Sequence, residues 1–313
     1  MIPPAGRVLA FLPGLLLAPG TPLAPAVALA HSSRPPAPHD LWSSWSLEPL
    51  VLVGLAATTA LFYGAGLRRL WSAAGSGRGI SRGRAAAFTA GLVALAVALV
   101  SPLDPLGDAL FSAHMAQHLA LILVAAPLLV AGAPRLAMLW ALPQPWRGRV
   151  GGAVARGVGR LTRPVVAFAA ASASLWLWHL PRAYQAALAR DPVHAVEHAS
   201  FLGTALLFWW VVLQPEGRRG LSRGAVILYV LAMAVESSAL GALITFSPRL
   251  LYAAHVPWTA AWGLSPLQDQ QLAGLIMWVP AGFVYLGVMG WLFLGWLEES
   301  DASWRRRVAG RTT

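Results

Sequence analysis

The chain has 313 residues, of which 57% are hydrophobic and only 11% are charged, and its net charge is +11. About 25% of residues are charged in an average soluble domain, so this composition excludes a soluble globular protein, and the high hydrophobicity excludes intrinsic disorder. The chain contains no cysteine, which excludes disulfides and thiolate metal sites. Long, continuous apolar runs favour a helical membrane protein over a β-barrel.

Two short regions precede the apolar segments. The basic residue Arg7, the apolar run 11–18 and the small residues 28–30 predict a signal peptide over residues 1–30. Residues 31–46 are rich in proline and serine, which is typical of a linker, here on the extracytoplasmic side.

Seven apolar segments follow, each close to the roughly 20 residues that cross a bilayer as a helix. They lie at 48–67, 85–101, 110–132, 164–180, 194–213, 224–245 and 270–296. The sequence therefore predicts an all-α, polytopic integral membrane protein. Its seven transmembrane helices form one domain over residues 47–297, and residues 298–313 form a basic tail.

The positive charge comes from 23 arginines, which are sorted by loop. Eighteen follow the first, third, fifth or seventh segment: Arg68, Arg69, Arg78, Arg82, Arg84, Arg135, Arg147, Arg149, Arg156, Arg160, Arg163, Arg218, Arg219, Arg223, Arg305, Arg306, Arg307 and Arg311. The other loops hold only Arg182, Arg190 and Arg249. The positive-inside rule makes the first set cytoplasmic, so the N-terminus lies outside and the C-terminus in the cytoplasm. The charge is then a topology signal, and no nucleic-acid partner is expected.

The histidines show the opposite bias. On the predicted topology all of them lie at the outer side: His31, His39, His114, His118, His179, His194, His198 and His255. Two matching motifs stand out, His114-Met-Ala-Gln-His118 and His194-Ala-Val-Glu-His198, and each places two imidazoles at i and i+4 on one helix face. A lone histidine at a helix end is usually an interfacial residue, which is the interpretation given to His39 and His255.

Two imidazoles one helical turn apart can bind a single metal ion. If the two faces meet, four imidazoles converge with His179 nearby, and Gln117 and Glu197 would orient them as hydrogen-bond partners. Met115 adds a possible thioether, and imidazole with thioether suits Cu(I) in a chain without cysteine. The second motif also fits a metalloprotease pattern, but the first motif has glutamine where that chemistry needs a general base.

Three further carboxylates fall within or beside the predicted membrane segments. Glu236 lies near the middle of the sixth segment, where an ionised group is costly unless it is paired or faces a polar cavity. Asp269 opens the seventh segment, and a capping role and a functional role are both open. Asp104 lies before the third segment, where it serves the turn or attracts cations.

Several stretches together suggest a family. They are Leu110-Phe-Ser-Ala-His114-Met-Ala-Gln-His118, Trp178-His-Leu-Pro-Arg-Ala-Tyr184 and Asp269-Gln-Gln-Leu-Ala-Gly274. From about Leu47 to Trp296 the chain resembles the CtaG-type cytochrome c oxidase assembly factors, the multi-spanning kind associated with caa(3) oxidases. The resemblance implies a bacterial plasma-membrane protein that matures haem–copper oxidases, with oxidase subunits and the lipid bilayer as partners.

We therefore expect a non-catalytic assembly factor that binds or delivers copper at the outer ends of its helices. The predicted ligands are His114, His118, His194 and His198, with His179 and Met115 next. Two alternatives stay open: a haem-binding membrane protein or oxidoreductase that uses His118 and His198 as axial ligands, and a copper-uptake permease.

Overall fold

The structure of the protein is a computed structural model that describes residues 35–214 and 221–309. The predicted signal peptide, His31 and the last four residues of the predicted tail lie outside the described residues. Within the described ranges all regular secondary structure is helical, and none of it is a strand. The predicted all-α class is confirmed.

Eleven α-helices form in the described part of the chain, and we number them in order. They are α1 Pro49–Ala74, α2 Arg82–Val100, α3 Leu103–Ala109, α4 Phe111–Ala131, α5 Pro134–Ala141, α6 Gln144–Leu161, α7 Pro164–Trp178, α8 Pro181–Leu188, α9 Asp191–Leu213, α10 Arg223–Thr245 and α11 Pro266–Ala309. Wider π-helical stretches interrupt α1 at Ala57–Gly64 and α4 at Ala120–Ala125.

Six of these helices, α1, α2, α4, α9, α10 and α11, are long and apolar enough to cross a membrane. The fourth predicted segment is different, because α7 has 15 residues and is about 22 Å long, against a hydrocarbon core of about 30 Å. Pro181 interrupts the chain there, and α8 continues at an angle of 77° to α7. The described residues therefore contain six spans, or seven if the bent pair α7–α8 is one.

The prediction of loops between the segments is wrong at four places, where α3, α5, α6 and α8 form. The reason is clearest for α6, which the arginines alone marked as a loop. Its valines Val150, Val154 and Val158 recur every four residues and line an apolar groove beside α1 and α2, whereas Arg149 and Arg156 are exposed. The segment is an amphipathic helix of the kind that lies along a membrane surface.

The helix α4 is the centre of the bundle. Of its apolar window 61% is buried, against 11–39% for the other spans, and it packs against α2, α3, α9 and α11. The helices α10 and α11 pack closely along their length, and a Cβ atom on Gly274 would lie 2.7 Å from the carbonyl oxygen of Gly241. Only glycine permits this backbone approach.

The last helix continues well beyond the predicted seventh segment. With 44 residues it is about 66 Å long, so it extends through most of the predicted tail. Arg223, at the start of α10, forms an ion pair of 2.7 Å with Glu299 and joins the two helices at that end.

Candidate metal centre

A carboxylate from α11 fixes the beginning of α4. Asp269 accepts hydrogen bonds from the backbone N–H of Phe111 at 2.7 Å, the backbone N–H of Ser112 at 3.1 Å and the hydroxyl of Ser112 at 2.5 Å. The residue before the helix, Leu110, has no side-chain oxygen that could cap it. Asp269 is therefore a cap, as one predicted role had it, but it caps the neighbouring helix and so holds the turn that carries His114.

The two histidine motifs face each other across α4 and α9. The ring centroids of His114 and His118 lie 4.3 Å apart, and those of His194 and His198 lie 4.1 Å apart. Between the helices, the His114 and His194 centroids are 5.3 Å apart, as are those of His118 and His198. The four imidazoles thus form one cluster at the N-terminal ends of the two helices.

Glu197 lies inside this cluster. One carboxylate oxygen is 3.7 Å from Nε2 of His114 and the other is 3.9 Å from Nε2 of His118. Both separations exceed a hydrogen bond, and the side chains of His114 and Glu197 are fully buried. We predicted Glu197 as an orienting partner, but its position makes it a candidate ligand as well.

The cluster has the dimensions of a metal site. One donor atom from each of four residues lies within 4.8 Å of the other three; these are His114, His194, Glu197 and His198. Two ligands on one ion, each bound at about 2.0–2.2 Å, are separated by up to about 4.4 Å. Small side-chain adjustments would bring the four donors onto one ion, with the His118 ring adjoining.

Several polar atoms of the cluster have no hydrogen bond within the described chain. They are Nε2 of His114, both ring nitrogens of His118 and both oxygens of Glu197. Leaving buried polar groups in this state costs several kcal/mol for each neutral group and more for a charge. A cation bound between the imidazoles and the carboxylate would offset that cost, so the donor set fits a metal ion.

His179 lies at the end of α7, and its tautomer is fixed by the backbone. Its Nδ1 is 2.6 Å from the carbonyl oxygen of Leu175, and a carbonyl can only accept, so Nδ1 carries the proton and donates. The other nitrogen, Nε2, therefore presents a lone pair, and it has no hydrogen-bond partner among the described residues. The ring of Phe201 lies near both His179 and His118, with centroid distances of 6.0 and 4.5 Å.

Gln117 binds away from the histidines. Its amide nitrogen donates to the backbone carbonyl of Ala98 at 2.8 Å and to Asp104 at 2.6 Å. The other oxygen of Asp104 accepts a short hydrogen bond from the Ser46 hydroxyl. Burial raises the pKa of the Asp104 carboxyl, although the Ser46 and Gln117 hydrogen bonds oppose that rise. The last residue of the predicted linker is thus attached to the bundle beside α4.

Tyr184 and His255, which the sequence interpretation did not assign to the site, lie beside the cluster on the His114 side. Tyr184 packs edge-on against His114, with 5.1 Å between the ring centroids. His255 donates from Nδ1 to the Asp108 carbonyl at 3.1 Å, so its Nε2 accepts from the Tyr184 hydroxyl at 2.6 Å. Burial lowers the pKa of His255 to about 4, and the positive charge that His114 can carry adds to that effect. His255 is therefore buried within the protein and lies closer to the cluster than the sequence interpretation implied.

Two other predicted residues lie outside the cluster. Met115 packs in an apolar group with Phe111 and Tyr184. Because it follows His114 directly, its side chain leaves α4 in a different direction from the two histidines. Glu236 is half-buried in α10 and accepts a hydrogen bond of 2.5 Å from the Ser172 hydroxyl.

Two cavities reach the cluster at His194. The first is about 300 Å³ and is lined by Asp108, Gln185 and Asp191 beside His194. The second is about 440 Å³ and brings Asp104 and Asp191 together with His194 and His198. The acidic lining of both cavities is favourable for a cation that moves to the histidines.

The comparison with known families agrees with the predicted resemblance. The family described as cytochrome c oxidase caa3 assembly factor (Caa3_CtaG) matches residues 61–299, which include every residue of the cluster. The chain belongs to this family. The buried group of four histidines and one glutamate thus lies within the matched part of this chain, whereas Ser46 precedes that part.

Two curated relatives of this chain are uncharacterized proteins of Mycobacterium bovis and Mycobacterium tuberculosis. Each is 27% identical over 289 residues, which cover 89% of this chain and 42% of the relative. The chain therefore spans less than half the length of these relatives. No solved structure matches the chain.

Proposed function

We propose that this protein binds a copper ion in the cluster of His114, His118, His194, His198 and Glu197 and supplies it to cytochrome c oxidase during assembly. The observation that carries the proposal is the position of Glu197, a fully buried carboxylate between imidazoles that it does not hydrogen-bond. The family supplies the process, which is oxidase assembly. The proposed role requires no catalysis.

Copper is the cargo that fits both the donors and the process. Imidazole binds Cu(II) more strongly than the other divalent first-row metals, and haem–copper oxidases need copper to mature. The single carboxylate adds a negative charge that a divalent ion would neutralise. Met115 is left out of the proposed ligands, since it packs among apolar side chains.

The proposed site faces the outside of a bacterial plasma membrane. This orientation is supported by the arginines of the loops, which the positive-inside rule assigns to the cytoplasmic ends of the helices. The cluster lies three residues into α4 and α9, and on this topology both helices begin at the outer face.

The haem alternative has less support from the geometry. The His118 and His198 rings are only 5.3 Å apart, and Glu197 occupies the space beside them. A flat macrocycle between two axial imidazoles would have to displace this packing. The visible absorption spectrum of the purified protein distinguishes the two: a Soret band would support haem, and its absence is expected here.

The function is tested in cells that depend on this protein for their oxidase. With the double variant His118→Ala/His198→Ala, we expect oxidase that contains haem but has lost most of its copper and its activity. The control is Glu236→Gln, which changes an intramembrane carboxylate outside the cluster. Full copper content in oxidase from cells with the double variant would overturn the proposal. A fall in total cellular copper with normally assembled oxidase would instead favour the permease.

A further inference from the structure

A third cavity, which also contains metal-binding side chains, lies deeper in the bundle than the cluster. It is lined by residues of α4, α7, α9, α10 and α11 and has a volume of about 60 Å³. Most of its lining is aliphatic or aromatic. The exceptions are His179, the thioethers Met233 and Met277, and a few hydroxyls, Thr204, Ser237 and Tyr285.

The histidine of this cavity is prepared to act as a ligand. His179 is 7% exposed, and its Nδ1–H is held by the Leu175 carbonyl. The lone pair therefore resides on Nε2, which has no hydrogen-bond partner in the described part of the chain. Metal-bound histidines commonly have this arrangement, in which a backbone carbonyl holds one nitrogen and the other binds the ion.

The two methionines come from different helices and reach the same cavity. Met233 of α10 and Met277 of α11 are each 5% exposed. Neutral thioether sulfur is a soft ligand that selects Cu(I) and binds Zn²⁺, Mg²⁺ or Ca²⁺ poorly. The lining contains no carboxylate, so it has no negative charge to neutralise a divalent ion. A monovalent soft ion needs less neutralisation.

We propose that this cavity is a second metal site, specific for Cu(I), with Nε2 of His179 and the thioethers of Met233 and Met277 as its donors. Phe201 lines the cavity, and its ring also packs against His118 of the cluster, with 4.5 Å between the ring centroids. The protein thus has a nitrogen and oxygen site near the helix ends and a sulfur-containing site deeper in the bundle. This site is an addition to the proposed function and requires no copper in the cluster.

The test is an anaerobic titration of the full chain in detergent with Cu(I), against a chromophoric Cu(I) chelator that competes for the ion. We expect the wild-type protein to bind one Cu(I) ion more than Met233→Leu/Met277→Leu does. Leucine has nearly the volume of methionine, so the double variant should fold. His179→Gln should also lose one ion. X-ray absorption at the copper edge should show sulfur ligands in the wild type and none in the double variant.

Met115→Leu is the matched control, because Met115 is a buried methionine that packs beside the site without lining this cavity. It should bind as many Cu(I) ions as the wild type, with sulfur ligation. An unchanged count in Met233→Leu/Met277→Leu, or no sulfur scattering in the wild type, would overturn the proposal. The double variant His118→Ala/His198→Ala should keep the sulfur-bound ion, so failure of this site and failure of the cluster are distinguishable.

Discussion

One carboxylate oxygen of Glu197 lies 3.7 Å from Nε2 of His114, and neither side chain is exposed. The two residues come from α9 and α4, so the contact joins the two histidine motifs into one site. A buried carboxylate that receives no hydrogen bond is unfavourable for stability. Its presence is understandable if the folded protein binds a cation there.

Glu197→Gln should weaken copper binding without destabilising the metal-free protein. The amide keeps the shape of the side chain and removes a buried negative charge, so the unfolding temperature of the metal-free protein should stay the same or rise. Loss of a hydrogen-bond partner of a metal ligand already lowers metal affinity about 10–100-fold, and loss of this charged ligand should lower it by at least as much. Chelator competition measures the affinity, and an unchanged value would contradict the ligand assignment. Glu236→Gln should leave it unchanged.

Asp269→Ala should destabilise the protein by removing the cap of α4. Three hydrogen bonds to Phe111 and Ser112 disappear, and loss of a helix cap costs about 0.5–2 kcal/mol, with more where buried N–H groups are left unpaired. Thermal unfolding in detergent should show a lower midpoint. The exposed Asp301 lies on the same helix, and Asp301→Ala should have little effect.

Ser46→Ala should destabilise the bundle although Ser46 precedes the first span. The hydroxyl donates to the buried Asp104, and an unsatisfied buried acceptor costs about 1–3 kcal/mol. Ser43 is exposed and bonds only to the Asp40 carbonyl in the described chain, so Ser43→Ala is the control. Equal unfolding midpoints for the two variants would show that the Ser46 contact contributes nothing.

The free energy of unfolding should decrease as the pH is lowered, in part because His255 is buried in its neutral form. Its pKa in the folded protein is about 4, below the ordinary value of 6.5, so the unfolded chain binds a proton first as pH falls. The contribution is fully present above pH 6.5 and is lost as pH falls toward 4. The change is about 2 kcal/mol between pH 6.5 and pH 5.

The variant His255→Asn isolates this effect, because the other titrating groups are common to both proteins. It should be less stable than wild type at pH 7.5, since it loses the Tyr184 hydrogen bond. At pH 5 the difference between the two should shrink by about 2 kcal/mol. A difference that is constant across this range would contradict the pH dependence assigned to His255.

The helix spacing made the pairing within each motif predictable. Residues four apart must share a face, so His114 with His118 and His194 with His198 were determined by the sequence. The approach of the two pairs was not, because it depends on how α4 packs on α9. The role of Glu197 changed from orienting partner to candidate ligand for the same reason. The spacing shows that a glutamate three residues after a histidine lies on the same helix face, but only the packing shows which residues it contacts.

Other features depended on contacts between residues distant in sequence. Asp269 is 158 residues from the Phe111 amide that it caps, and Ser46 is 58 residues from Asp104. No local pattern reports such pairs. His255 resembled a loop histidine because the residues that bury it, Tyr184 and Asp108, lie elsewhere in the chain. The amphipathic helix α6 was missed for another reason, since its arginines were more conspicuous than its valine repeat.

Titration of the purified full chain with Cu(II) tests the central claim most directly. Cu(II) suits the imidazoles and carboxylate of the cluster and not a thioether site, so the cluster alone is measured. We predict that the wild type binds one ion tightly, that His198→Ala loses this binding, that His118→Ala weakens it, and that His255→Asn, which changes a buried histidine outside the ligand set, keeps it. Unchanged stoichiometry and affinity in both His118→Ala and His198→Ala would contradict the account.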